Sequence, residues 1–115
     1  MKRNLAGLVS LVRGDDETAI PGLAFRSGGR HTWASQFVSV RTEKSTVVIA
    51  SDNMYLYENL DRRQPIAQTL DAAANLQAQD RMRTLASDPR LVIPGHDPAV
   101  FERFPRVADR IVRIE

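Results

Sequence analysis

His31 and His96 are the only histidines of the sequence, and each follows a glycine-bearing loop, Ser27-Gly28-Gly29-Arg30-His31-Thr32 and Pro94-Gly95-His96-Asp97-Pro98. Between them, Asp52 ends the run Val47-Val48-Ile49-Ala50-Ser51-Asp52. Imidazole nitrogen and carboxylate oxygen are ligands that divalent zinc accepts, and the absence of cysteine leaves no thiolate ligand, disulfide or cysteine nucleophile. Each residue also has an ordinary reading, the histidines as loop or cap residues and Asp52 as a turn former. They acquire chemical meaning together if three strand tips bring them to one rim of a sheet.

The elements needed for this are legible. Residues 19–25 read as a strand with a Pro-Gly interruption, after a turn at Asp15-Asp16-Glu17. Residues 36–41 and 46–50 read as a hairpin joined by polar residues 42–45, and the β-branched run Val47-Val48-Ile49 marks the second strand as buried on both faces. Tyr55 to Leu60 reads as a short helical turn. Residues 65–86 carry apolar side chains at 66, 70, 73, 74, 78, 82 and 85, a helical stripe that leaves Asp71, Gln79 and Arg83 to water. Pro65 suits its first turn and Asp88-Pro89 stops it.

A short strand at Leu91-Val92-Ile93 then leads to His96, and Asp97 with Pro98 caps a last helix anchored by Phe101 and Phe104. The tail from Ile111 to Ile114 reads as a final strand or helical turn.

Composition bounds the rest. A chain of 115 residues with 43% hydrophobic and 26% charged residues fits one globular domain with a modest core. The apolar stretch from Leu5 to Val12, broken by Gly7 and Ser10, is too short to cross a bilayer and lacks the cleavage site of a signal peptide, so residues 4–12 read as an amphipathic helix. The net charge is only +2 and the arginines are interspersed with acids, which argues against nucleic acid as a partner. A cytoplasmic setting is the expectation, with no membrane partner. No G-x-S-x-G elbow supports a serine hydrolase.

The segments Gly29-Arg30-His31-Thr32-Trp33-Ala34-Ser35-Gln36, Val48-Ile49-Ala50-Ser51-Asp52-Asn53-Met54-Tyr55 and Pro94-Gly95-His96-Asp97-Pro98 occur in the order and spacing of the metallo-β-lactamase fold. Residues 20–115 resemble the second half of that fold, most closely its N-acyl-homoserine-lactonase-type members. The resemblance implies an α/β (α+β) fold, half of an αββα sandwich, with a mixed sheet and helices on one face. The whole chain, 1–115, would be a single partial domain.

The resemblance further implies two zinc ions in the intact fold. His31 would bind one, His96 the other, and Asp52 would bridge them. Tyr55, three residues after the bridging Asp52, would bind a substrate carbonyl or protonate a leaving oxygen; the residues alone leave open that Tyr55 and Tyr57 simply pack the short helix. Trp33 reads as a packing residue beside the ligand loop rather than a substrate contact, and Ser35 and Gln36 as hydrogen-bonding residues that hold that loop.

The departures matter as much. The earlier His-x-His-x-Asp-His motif of the family has no counterpart in this sequence. Each metal would keep one histidine and a shared carboxylate, against three or four protein ligands in ordinary zinc sites. The expectation is a truncated, lactonase-like hydrolase fragment, inactive alone, whose implied substrate is a small lactone or related ester or amide of the quorum-quenching type. One sheet face would lack its cover, so self-association or pairing with the missing N-terminal half is expected. The other reading is a non-catalytic fragment or interaction subunit that pairs with another chain.

Overall fold

The computed structural model describes residues 11–114. Most of the helix expected over residues 4–12 lies outside them, and residues 11 and 12 belong to no helix.

Five strands form a mixed sheet in sequential order: β1 (Asp16–Ile20), β2 (Leu23–Ser27), β3 (Gln36–Arg41), β4 (Thr46–Ser51) and β5 (Val92–Pro94). The first four are antiparallel neighbours, whereas β5 runs parallel to β4. A parallel pair needs a crossover, and here it contains the helices α1 (Tyr57–Asp61) and α2 (Ala72–Leu85) and a 3₁₀ turn, Pro89–Leu91. After β5, the four-residue helix α3 (Val100–Arg103) leads to a separate two-stranded ribbon, β6 (Arg106–Ala108) with β7 (Ile111–Val112). Among the described residues, no helix is long and apolar enough to cross a membrane.

The strand expected over 19–25 is in fact two, because Pro21 and Gly22 turn the chain and pair Ile20 with Leu23. The acidic segment is not a turn either: Asp16 and Glu17 are extended in β1, where Glu17 forms an ion pair with Arg26 of β2. Helix α2 begins at Ala72 rather than near Pro65. Asp71 caps it by accepting the Ala74 N–H at 2.9 Å, while Thr69 accepts the Asp71 N–H and the Ile66 N–H goes to the Asn75 side chain. The backbone of residues 65–70 is thus committed outside any helix. Of the two expected anchors, Phe104 packs, together with Val100, whereas Phe101 is 38% exposed.

Strand alternation gives the sheet two different faces. Phe37, Val48, Ala50 and Val92 point to one, where Met54, Leu60, Ala78 and Met82 close over them in a continuous buried cluster. Each of the larger side chains among these contributes about 1.5–3 kcal/mol relative to exposure, and the two alanines less. Leu23, Phe25, Val38, Val40, Val47, Ile49 and Ile93 share the other face by register. There Val47 and Ile93 are covered by Val100, Phe104 and Ile114, but Leu23, Phe25, Val38 and Val40 are only half-buried and Ile49 is 39% exposed. The expectation that the β4 run is buried on both faces therefore fails at Ile49.

Candidate metal centre

The three chemistry-bearing segments emerge at one edge of the sheet. Asp52 follows β4, His96 follows its parallel neighbour β5, and His31 sits in the loop between β2 and β3. Parallel neighbours deliver their C-terminal ends side by side, so Asp52 and His96 meet despite a separation of 44 residues. His96 Nε2 lies 2.8 Å from Asp52 Oδ1, and His31 Nε2 lies 3.5 Å from Asp52 Oδ2. One carboxylate thus turns one oxygen toward each imidazole. Tyr55 stands between them, its ring edge-on to both, with centroids 5.8 Å from His31 and 5.0 Å from His96. All four positions singled out from the sequence, His31, Asp52, Tyr55 and His96, are brought together.

The hydrogen-bond partners indicate which ring nitrogen carries a hydrogen. His31 Nδ1 lies 2.9 Å from the Gln68 carbonyl oxygen, which can only accept, so Nδ1 carries the hydrogen. In the neutral ring, Nε2 then presents its lone pair to the space beside Asp52, the arrangement that orients a ligating histidine. The Tyr55 hydroxyl oxygen, 3.2 Å from the same Nδ1, shares that N–H as an acceptor and keeps its own proton to donate. On the other side, His96 Nε2–H donates to Asp52 Oδ1, so this nitrogen would have to release its hydrogen before it could hold a metal.

Backbone geometry sharpens the placement. Arg30, before His31, has φ 59°, and Ser51, before Asp52, has φ 51°. Left-handed backbone costs a non-glycine residue roughly 1–2 kcal/mol, so both turns are held by their surroundings. Gly29 and Gly95 permit close approaches: a Cβ on Gly29 would lie 2.6 Å from Asn75 Cα, and one on Gly95 2.7 Å from the Ser51 carbonyl oxygen.

Asn53 and Asn75, read in the sequence as part of a strand-end turn and of a helix, form a buried polar knot beneath the site, 1% and 0% exposed. Asn53 Oδ1 accepts the Gly29 N–H at 2.7 Å, and its Nδ2 donates to the carbonyls of Gln36 and Ala50. Asn75 donates to the Asn53 carbonyl, and Gln79 donates to Asn75 Oδ1 and the Gln64 carbonyl. Gln79, expected in water, is buried because the helical stripe above the sheet is partly polar. An asparagine next to Asp52 was the one signal available in the sequence, and it is shared with countless turns.

Trp33 does not pack as expected. It is 82% exposed, and the Arg30 guanidinium lies 5.4 Å from its ring centroid in a cation–π contact. Ser35 holds the loop through its backbone carbonyl, which accepts the Gly28 N–H at 2.8 Å, while its hydroxyl is buried without a partner among the described residues. Gln36 reaches Gly14 with its side-chain amide and holds Asn53 with its carbonyl. Tyr57, unlike Tyr55, is a packing residue: it is buried, Arg103 lies 3.7 Å over its ring, and burial pushes its hydroxyl pKa up.

The donor types suit zinc and their placement suits a shared carboxylate. Two donors on one tetrahedral zinc stand about 3.4 Å apart at the usual bond lengths, close to the His31–Asp52 separation and longer than the His96–Asp52 contact. The number of donors falls short. Among the described residues no group of three or more His, Cys, Asp or Glu side chains is gathered for one ion, and the arrangement is two His–Asp pairs rather than one triad. The residues therefore match the chemistry of a metal site without completing one.

Comparison with known proteins agrees with the fold. The chain superposes on an N-acyl homoserine lactone hydrolase holding its product N-hexanoyl-L-homoserine at the catalytic metal centre, with 23% identity and a TM-score of 0.66 over 81% of this chain and 37% of that one. A mutant of AiiA from B. thuringiensis with N-decanoyl-L-homoserine at its active site gives the same 23%, 0.66, 81% and 37%. A quorum-quenching N-acyl homoserine lactone lactonase matches with 24% identity and a TM-score of 0.64 over 77% of this chain and 37% of its own. No family model and no curated protein sequence matches. The architecture is thus that of part of a metallo-β-lactamase fold, and the chain spans little more than a third of the length of these structures.

Proposed function

We infer that this chain carries part of the metal-binding and substrate-binding edge of a zinc-dependent hydrolase acting on a small lactone or related cyclic ester or amide. The observation that carries the reading is the Asp52 carboxylate, with one oxygen toward His31 and the other toward His96. His31 and His96 would each hold one zinc ion with Asp52 between them. Bound zinc supplies a hydroxide near neutral pH and polarises a carbonyl. Tyr55, with its hydroxyl proton uncommitted, would donate to the substrate carbonyl or to the leaving oxygen.

With two protein donors per ion, the 115-residue chain alone is expected to take up zinc weakly and to hydrolyse lactones little or not at all. The absence of cysteine fits a cytoplasmic setting.

Zinc uptake by equilibrium dialysis tests the reading. Wild type should bind weakly, and Asp52→Ala should lose binding at both histidines because both pairs share that carboxylate. Unchanged uptake in Asp52→Ala refutes it. Rapid turnover of an N-acyl homoserine lactone by the zinc-loaded chain refutes the inactivity.

The half-open apolar face, with Ile49 39% exposed, favours a second reading as a non-catalytic subunit that pairs with another chain. Association in light scattering together with no zinc uptake would select it.

A further inference from the structure

Resting on the metal-site reading, we propose that Asn53 and Thr69 are positioning residues that clamp the His31 loop against Asp52, while the His96 arm is held independently. The residue before His31 has left-handed backbone, which the chain does not adopt unaided, and the clamp explains why it persists. From beneath, the buried Asn53 side chain accepts the Gly29 N–H, so a residue covalently adjacent to Asp52 fixes the loop two residues ahead of His31. From above, the Thr69 hydroxyl shares its one proton among the carbonyls of Asp71 at 3.1 Å and of Gly29 and Arg30 at 3.3 Å, and the Leu70 N–H donates to the Arg30 carbonyl at 2.9 Å. Gln68, next to Thr69, then supplies the carbonyl that orients the imidazole itself.

This explains why residues 65–70 are not helical. Helix formation would direct the carbonyl of Gln68 and the N–H of Leu70 along a helix axis and take both away from the loop.

The His96 arm uses none of these groups. Its backbone is tied by the Gly95 N–H to the Met54 carbonyl and the His96 N–H to the Tyr55 carbonyl, at 2.9 and 3.0 Å. The two arms therefore provide an internal control that a general loss of stability cannot imitate.

The experiment is a zinc titration of the full chain followed by NMR signals of the two imidazole rings, in wild type, Asn53→Ala and Thr69→Val. Expected is an approximately tenfold weaker zinc response at His31 in Asn53→Ala, the lower end of the effect of groups that orient metal ligands, with the His96 response unchanged. Thr69→Val should shift His31 in the same direction by less. It alters no buried core residue, so it decides the matter if Asn53→Ala does not fold. Equal weakening at both histidines, or no weakening at His31, overturns the proposal while leaving the metal reading intact. A wild-type chain in which neither ring responds to zinc removes the metal reading and the proposal with it.

Discussion

The two faces of the sheet are built from the same kinds of residue and have different fates. On one, α1 and α2 cover Phe37, Val48, Ala50 and Val92 so completely that none is more than 1% exposed. On the other, the aligned row Phe25, Val38 and Ile49 has only partial cover, because α3 and Ile114 reach no farther than Val47 and Ile93. Apolar composition alone does not make a core; an opposing layer does. The site sits at the edge where these two faces meet, supported from the closed side by the Asn53–Asn75 knot.

This contrast can be broken by mutation. Phe37→Ala on the closed face should cost about 3–5 kcal/mol in denaturant unfolding, since it leaves a cavity in a sealed cluster. Ile49→Lys on the open face should cost about 1 kcal/mol or less and should reduce any concentration-dependent association seen by sedimentation. Comparable losses from both substitutions would mean that the second face is as closed as the first.

The smallest effect is expected at the margin of the closed face, where Asp15 ties β2 to α2. Its carboxylate is held below the usual range first by the hydrogen bond from Arg81, then by the Ser27 N–H and the charges of Arg81 and Arg26. A depressed folded-state pKa means that this stabilisation is complete above the ordinary carboxylate range and is lost as pH falls through the lowered value. The group is partly exposed, so Asp15→Asn should change stability by less than about 1 kcal/mol at neutral pH and flatten the acid limb of the stability profile. An unchanged acid limb would show that Asp15 titrates alike in the folded and unfolded chain.

Much of the site is readable because residue types able to ligate a metal are few and chemically distinct: two histidines and one strand-end aspartate suffice to place the rim. The strands β3, β4 and β5 were readable because β-branched runs and a polar four-residue connection leave few alternatives. The clamp was not. Asn53, Asn75 and Thr69 are ordinary turn and helix-end residues, and only their burial and partners in space reveal their work. Residues 65–70 carry a helical apolar spacing that their long-range hydrogen bonds override. Nor did Arg30 and Ser51 advertise left-handed backbone, which glycine or asparagine would have signalled. Trp33 departs from the expectation because a large aromatic is usually buried, whereas here it is exposed with Arg30 against its ring.

The parallel pairing of β5 with β4 also orders events during self-assembly of the chain. Strands β1 to β4 lie in sequential order and can zip together locally, bringing the Gly29 end of the His31 loop to Asn53 early, whereas the contacts of that loop with residues 68–70 wait for the crossover. His96 arrives only after the long crossover has closed, the pairing with the greatest sequence separation within the sheet and hence the slowest to be rewarded. Until β5 has paired, the His96 side of the site is missing, and ligand capture by both imidazoles at once would report that this strand has docked.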